Sequence, residues 1–300
     1  MRYRMIRTEN LTKYYRNRLG VKDLTLEVEP GEIFGFLGPT GAGKTTTILL
    51  LLDMIHSSSG RAWIMGKDSH QHSLEIRQQV GYLPAQYNLF EKLSAGEMLR
   101  YLLALRRETN WNRARQLAEE FALDLARPVA ALSAAEKQKI GLVQAFVHHP
   151  ELLILDEPTR SLEPAAQQTF YRLVSQARAD GRTVFFSSNS LIEMERICDR
   201  VAVIYRGNLV AVERGVQLRS RALRKIEMRF AGPVSAEAFR CLPNLKDLQV
   251  GDNSLSCTLS GDPDVLIKTA SQFRVVDIVS QIPSLEEVFG NYYGVGGYAG

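Results

Sequence analysis

The residue types best suited to chemistry are gathered in Gly38, Pro39, Thr40, Gly41, Ala42, Gly43, Lys44, Thr45 and Thr46. Their spacing, G-x-x-x-x-G-K-T, is that of a phosphate-binding loop. Glycines at 38, 41 and 43 allow positive φ and a close backbone approach, so that successive N–H groups and a helix N-terminus converge on an anion. Lys44 is expected to reach the β and γ phosphates of a triphosphate, and the Thr45 hydroxyl to ligate magnesium. The reading without function is a glycine-rich turn that binds nothing. A second pair, Asp156 and Glu157, closes the apolar run Leu152 to Leu155. Asp156 suits magnesium, directly or through water. Glu157 follows it on a strand whose side chains alternate, and so is expected to point elsewhere and polarise a water for in-line attack on a γ phosphate.

The elements around these residues must bring them together. Ile33 to Leu37 reads as a buried strand leading into the loop, and Thr47 to Ile55 as a helix covered by a parallel sheet. Leu152 to Leu155 is apolar throughout, as a strand covered on both faces requires. In an open α/β sheet, ligands sit beyond the carboxyl ends of the strands, which sets the two carboxylates beside Lys44 although they are remote in sequence. Ile6 to Tyr15, Lys22 to Val28, Ala62 to Met65, Val80 to Leu83, Thr183 to Ser187, Val201 to Tyr205 and Leu209 to Val212 read as further strands, with Gly207-Asn208 a hairpin signal. Ala95 to Leu125 has helical periodicity broken at Trp111-Asn112. A further helix starts at Ser133, and others span Pro164 to Ala179 and Leu191 to Cys198.

Composition bounds the remainder. The chain has 300 residues, 45% of them hydrophobic, enough for more than one domain. Its 37 basic and 33 acidic residues are interspersed, for a net charge of +4, without the concentrated basic stripe that nucleic-acid binding needs. Cys198, Cys241 and Cys257 lie far apart without metal spacing, which suits a reducing compartment. The N-terminus lacks an apolar signal region, and the longest apolar run is too short to span a bilayer.

The loop Gly38 to Thr46, then Leu132-Ser133-Ala134-Ala135-Glu136 opening a helix, then Leu152 to Pro158 and Val184 to Ser188 together resemble the nucleotide-binding subunit of an ABC transporter. The resemblance covers about the first three quarters of the chain. It is greatest to the separately encoded ATPases of bacterial exporters of drugs, antibiotics and lipids, whose closing Pro-Ser-Leu-Glu-Glu-Val-Phe is matched by Pro283 to Phe289. The resemblance implies a P-loop NTPase fold of the ABC type, a mixed α/β sheet with a helical lobe at about 88–148, in a domain of residues 1–222. A small α+β accessory domain at 223–293 and a flexible tail at 294–300 would follow. ATP and Mg2+ are the implied ligands. The implied partners are a second ATPase subunit and a membrane-spanning permease, holding the protein peripherally on the cytoplasmic face. By position, Tyr15 matches the adenine-stacking aromatic, and the Pro84 to Lys92 loop with the helices after it matches the lobe that meets the permease.

Several positions depart from that pattern. The signature Leu-Ser-Gly-Gly-Gln, which completes the partner's ATP site, has Ala135 for its second glycine and Glu136 for its glutamine. Ser133-x-x-Glu136 is also a capping box, so the segment can be read as a helix start alone. As a signature, a glutamate there would oppose the partner's γ phosphate by roughly a few kcal/mol in a dry site. Asn189 stands at the switch-histidine position and carries no charge. The metal-contacting glutamine expected after Tyr-Leu-Pro is Ala85, with Gln86 one place late. Arg160-Ser161-Leu162-Glu163-Pro164 replaces Ser-Gly-Leu-Asp-Pro, and Thr40 stands where asparagine is frequent. The cis half of an ATP site is therefore retained and the trans half eroded, which predicts slow turnover alone and partner-dependent activity. Two alternatives stay open. One is an ATP-binding regulatory subunit that barely hydrolyses. The other is an ABC protein of translation or DNA repair, which would carry two cassettes or a long coiled-coil insertion. Beyond the basic stretch Arg219 to Arg224, Ile226-Met228-Phe230 and Leu255-Cys257-Leu259 alternate as half-buried strands. Leu266, Ala270 and Phe273, then Leu285, Val288, Phe289 and Tyr292, have helical spacing.

Overall fold

The computed structural model describes residues 3–86, 88–107, 110–215 and 223–281. The closing motif Pro283 to Phe289, the helical spacing from Leu285 to Tyr292, the tail and most of the basic stretch lie outside them. The chain divides into two compact units, Met1–Glu213 and Arg214–Gly300.

The first unit is built on a ten-stranded sheet in the order β5-β4-β1-β2-β10-β9-β3-β8-β7-β6. Its strands are β1 Ile6–Tyr15, β2 Arg18–Val28, β3 Ile33–Leu37, β4 Ser59–Ile64, β5 Lys67–Asp68, β6 Val80–Leu83, β7 Leu152–Asp156, β8 Thr183–Ser188, β9 Arg200–Tyr205 and β10 Asn208–Arg214. Strands β5, β4, β1 and β2 pair antiparallel, whereas β9, β3, β8, β7 and β6 run parallel. Strand β2 meets β10 through one pair among the described residues, Lys22 with Asn208. Every residue of β3, β7 and β8 is buried, and the first two hold the continuous apolar runs of the sequence. Phe34 and Phe185 stack across β3 and β8 with ring centroids 5.9 Å apart.

The helices of this unit are α1 Lys44–Leu51, α2 Ser73–Gln79, α3 Ala95–Leu105, α4 Trp111–Glu120, α5 Ala134–Phe146, α6 Pro164–Ala179 and α7 Leu191–Ile197. Several expected boundaries shift, α1 running Lys44–Leu51 rather than Thr47 to Ile55 and β4 Ser59–Ile64 rather than Ala62 to Met65. The break between α3 and α4 falls before Trp111, because the Asn110 side chain accepts from the Arg113 N–H and caps α4, while Trp111 packs under the Arg100 guanidinium at 4.3 Å. The β9–β10 turn places its positive φ values at Arg206 and Gly207, one residue earlier than Gly207-Asn208.

The second unit carries an antiparallel sheet in the order β12-β13-β11-β14, from β11 Leu223–Phe230, β12 Leu245–Val250, β13 Ser254–Ser260 and β14 Val275–Gln281, with helices α8 Glu237–Arg240 and α9 Asp264–Ala270. Ile226, Met228, Phe230, Leu255, Cys257 and Leu259 form its core with Phe239, Leu266 and Ala270. The alternation seen in the sequence is that buried face.

Candidate functional site

Strand β3 delivers the chain into the glycine loop between β8 and β9, with Leu37 paired to Ser188 and Val203. Gly41 and Gly43 take φ of 81° and 112°, and Gly43 starts α1 without a capping side chain. Gly38 does not have positive φ, contrary to expectation. It is a glycine because a Cβ there would lie 2.4 Å from the Ile204 carbonyl oxygen. Lys44, 4% exposed, directs Nζ back across the loop, where it donates to the carbonyl oxygens of Gly38 (2.6 Å) and Pro39 (3.0 Å). Its third contact is Glu157 Oε1 at 3.3 Å. Burial pushes the ammonium below its ordinary range, and the charges of Glu157 and Asp156 oppose that shift.

Asp156 closes β7, is fully buried, and pairs in the ladder with Ser187 of β8. The Ser187 hydroxyl donates to Asp156 Oδ1 at 2.5 Å and accepts from the Glu157 N–H at 2.9 Å, so one side chain of a neighbouring strand fixes both acids. Asp156 Oδ2 is buried without a hydrogen-bond partner. Burial raises the Asp156 carboxyl, while the hydroxyls of Ser187 and Thr45 hold it down, the latter close by but outside hydrogen-bonding geometry. Glu157 diverges from Asp156, as expected, but for another reason. The strand has ended, and Glu157 sits at φ 47°, a left-handed conformation that a non-glycine residue adopts at a cost. Its carboxylate turns toward the loop, with Oε2 3.3 Å from Arg160 Nη1. Gln138 of α5 pins this turn, donating to the carbonyl oxygens of Pro158 (3.1 Å) and Glu157 (3.4 Å).

The resulting cleft, about 670 Å³, is lined by Tyr15, Gln86, Thr40 to Thr46 except Ala42, and Glu157. Backbone N–H groups at a helix start, a buried cation and a nearby carboxylate can hold and polarise a phosphoanhydride. Tyr15 is 43% exposed at the end of β1, its hydroxyl 3.5 Å from that of Thr46. Ala85 lines the cleft beside Gln86. Asn189 is exposed in the bend after β8 and does not line it. Ser133, Ala135 and Glu136 also stand apart from it. Ser133 caps α5, its Oγ accepting from the Glu136 N–H at 3.2 Å while Glu136 Oε2 accepts from the Ser133 N–H at 2.9 Å, and Glu136 also pairs with Arg127. Those hydrogen bonds hold the Glu136 carboxyl below its ordinary range.

Residues not anticipated from sequence are Arg18 and Arg160 on the cleft wall, Ser187 beneath the acids, and Glu193 of α7. Arginines outside periodic segments read as solvated, and no spacing announced a partner for them. Glu193 is 4% exposed. Burial pushes its carboxyl up against the hydroxyls of Ser188, Thr159 and Tyr171. A polar residue on the covered side of its short helix was the available signal.

Residues 21–160 match the family model described as "ABC transporter". The chain is 36% identical over 209 residues to the bacitracin transport ATP-binding protein BcrA of Bacillus licheniformis, covering 69% of this chain and 68% of that protein. It is 28% identical over 306 residues to the linearmycin resistance ATP-binding protein LnrL of Bacillus subtilis, covering 97% and 98%. A solved ATP binding subunit of an ABC transporter aligns with TM-score 0.65 at 28% identity, over 70% of this chain and 90% of that one. The fold is also that of the dimeric cassette MJ0796 bound to ADP and Pi, with TM-score 0.65 at 22% identity over 70% and 98%. Phosphate loop, buried acids and these likenesses agree: the chain belongs to the ABC transporter ATP-binding proteins, and is an ATPase and ATP-binding subunit of that family.

Proposed function

We propose that this subunit binds Mg-ATP between the glycine loop and the acidic turn, dimerises around it, and drives export through a separate membrane-spanning chain. The observation that carries this reading is Lys44 Nζ held between two loop carbonyls and Glu157, with the unpartnered Asp156 Oδ2 beside Thr45. In it, the N–H groups of Gly41 to Thr46 and the Lys44 ammonium take the phosphates, and Tyr15 stacks on the base. An oxygen-rich set of Thr45 and Asp156, with Gln86 at the rim, fits a magnesium ion, because the orphaned oxygen of Asp156 is the kind of ligand it takes. Bound there, magnesium supplies charge neutralisation for the transferred phosphoryl group. Glu157 orients the attacking water and accepts its proton.

Glu136 is engaged by Ser133 and Arg127 of its own chain, so it offers a partner subunit a poor substitute for the signature glutamine. The site on Lys44, Asp156 and Glu157 is therefore completed best by a different subunit with an intact signature, and turnover by this chain alone is slow. Among the described residues no helix is long and apolar enough to cross a membrane, and in this reading the translocation path belongs to the permease. An apolar groove of about 260 Å³ lined by Tyr82, Pro84, Leu89, Leu102 and Leu105 suits a helix of that partner. The subunit then works peripherally, at the cytoplasmic face. The related proteins named for bacitracin transport and linearmycin resistance favour antibiotic-like cargo. ATPase rates of the purified chain, alone and with its cognate partners, against Glu157→Gln, test the proposal. Partner-stimulated, Glu157-dependent hydrolysis is expected. Fast Glu157-dependent hydrolysis by the chain alone overturns the heterodimer, and failure to bind Mg-ATP overturns the whole reading.

A further inference from the structure

Away from the nucleotide cleft, the C-terminal end of α1 faces the β5–α2 turn. Asp53, two residues past α1, takes φ 50° and is 14% exposed at its side chain. Its Oδ1 lies 3.1 Å from His70 Nδ1 and 3.4 Å from His56 Nδ1, and its Oδ2 lies 3.2 Å from His70 Nδ1. The two imidazole rings meet edge to face at 5.2 Å. One ligand atom from each of the three residues falls within 4.8 Å of the others. A tetrahedral ion with bonds of about 2.0–2.1 Å to nitrogen and oxygen separates its ligands by about 3.4 Å. The two carboxylate-to-imidazole separations are already near that value, and rotation of the two exposed imidazoles brings in the third pair.

Both supporting turns are braced. Arg77 Nη1 donates to the carbonyl oxygens of Leu52 (2.9 Å) and Asp53 (3.4 Å), and Asp68 Oδ1 accepts from the N–H groups of His70 (3.0 Å) and Gln71 (3.1 Å). An independent observation points the same way. Ser69, 4% exposed, has a buried Oγ without a hydrogen-bond partner, and it lines the same cavity of about 290 Å³ as Asp53 and His70. Such a cavity has polar groups to spare for a bound ion and its water.

We propose that Asp53, His56 and His70 form a site for a borderline divalent cation of the zinc class, which ties the far end of the phosphate-loop helix to the β5–α2 turn. Two imidazoles and one carboxylate favour zinc, cobalt or nickel over magnesium or calcium, which take oxygen ligands. Three protein ligands leave a further position for water. His72 is close in sequence but pairs with Glu75, 3.6 Å away, and is not in the set.

The test is equilibrium dialysis of the chelator-treated, full-length protein against Zn2+ without nucleotide, followed by metal analysis, with Co2+ as the spectroscopic probe. One equivalent of Zn2+ is expected, with visible d–d absorption from Co2+. His56→Ala and His70→Ala should each weaken Zn2+ binding roughly tenfold or more, while His72→Ala leaves it unchanged. Zn2+ should raise the thermal midpoint of the unaltered protein and not that of the His56→Ala, His70→Ala double variant. Mg-ATP affinity, equal in all variants, verifies that they fold. No bound Zn2+, or the same stoichiometry and affinity in the double variant, overturns the proposal.

Discussion

Lys44 carries a buried charge with two carbonyl oxygens and one carboxylate oxygen for company. In the proposed complex a phosphate chain in the cleft replaces those contacts with stronger ones, since charge-assisted hydrogen bonds contribute about 1.5–3 kcal/mol each. Lys44→Ala should therefore weaken ATP binding by roughly ten- to a hundredfold, measured by calorimetry. Arg160 affects Glu157 in the opposite sense. Its guanidinium stands at the second carboxylate oxygen, so both oxygens of the proposed base face cations. The pair is largely solvent-exposed on the arginine side, which limits its strength. Arg160→Ser should raise the maximal rate of the partnered complex by about twofold to fivefold, measured at saturating ATP. An unchanged rate would mean that Arg160 leaves the base alone. The cleft's glycines and lysine were legible because their spacing has one physical use. Arg160 and Arg18 were not, since a cation in a loop or at the start of a strand has no spacing that distinguishes a cleft wall from solvent.

Strands β7 and β8 work as a pair, because Ser187 holds Asp156 and the Glu157 backbone at once. Ser187→Ala leaves both Asp156 oxygens unsatisfied in a dry interior. It should cost about 1–3 kcal/mol in denaturant unfolding and lower turnover through misplacement of Glu157. Helix α7 brings a different electrostatic load. Burial favours the protonated form of Glu193, so the folded chain retains that proton above the ordinary value of 4.5. Stability falls as pH rises from the unfolded value through the raised folded one. Glu193→Gln, which cannot ionise, should gain stability relative to the unaltered protein as pH rises above the ordinary carboxylate value of 4.5, and equal slopes in the two unfolding-versus-pH curves would contradict it. Runs such as Ile33 to Leu37 and Leu152 to Leu155 announced their strands, since a sheet covered on both faces leaves no polar alternation. The direction of Glu157 could not be read the same way. It follows from a backbone inversion held by Gln138 on one side and the Ser187 hydroxyl on the other.

At the scale of the molecule, every residue lining the proposed nucleotide cleft belongs to the first unit, whose core is separate from that of the second. A chain ending at Glu213 should fold and bind Mg-ATP within about twofold of the full-length protein, because no cleft contact is removed. Leu105, 66% exposed beside the apolar groove, belongs to the surface proposed for the permease. Leu105→Glu should abolish copurification with that partner while leaving nucleotide affinity intact. Among the described residues the two halves of the sheet pair through Lys22–Asn208 of β2 and β10, and the cleft is walled by Tyr15 and Arg18 to Gly20 on one side and the glycine loop on the other. A nucleotide seated there acts as a stitch across the seam between two differently wound fabrics. Its arrival should slow amide hydrogen exchange at Val21 and Lys22, on the other selvedge of that seam, as much as it slows exchange in the loop itself.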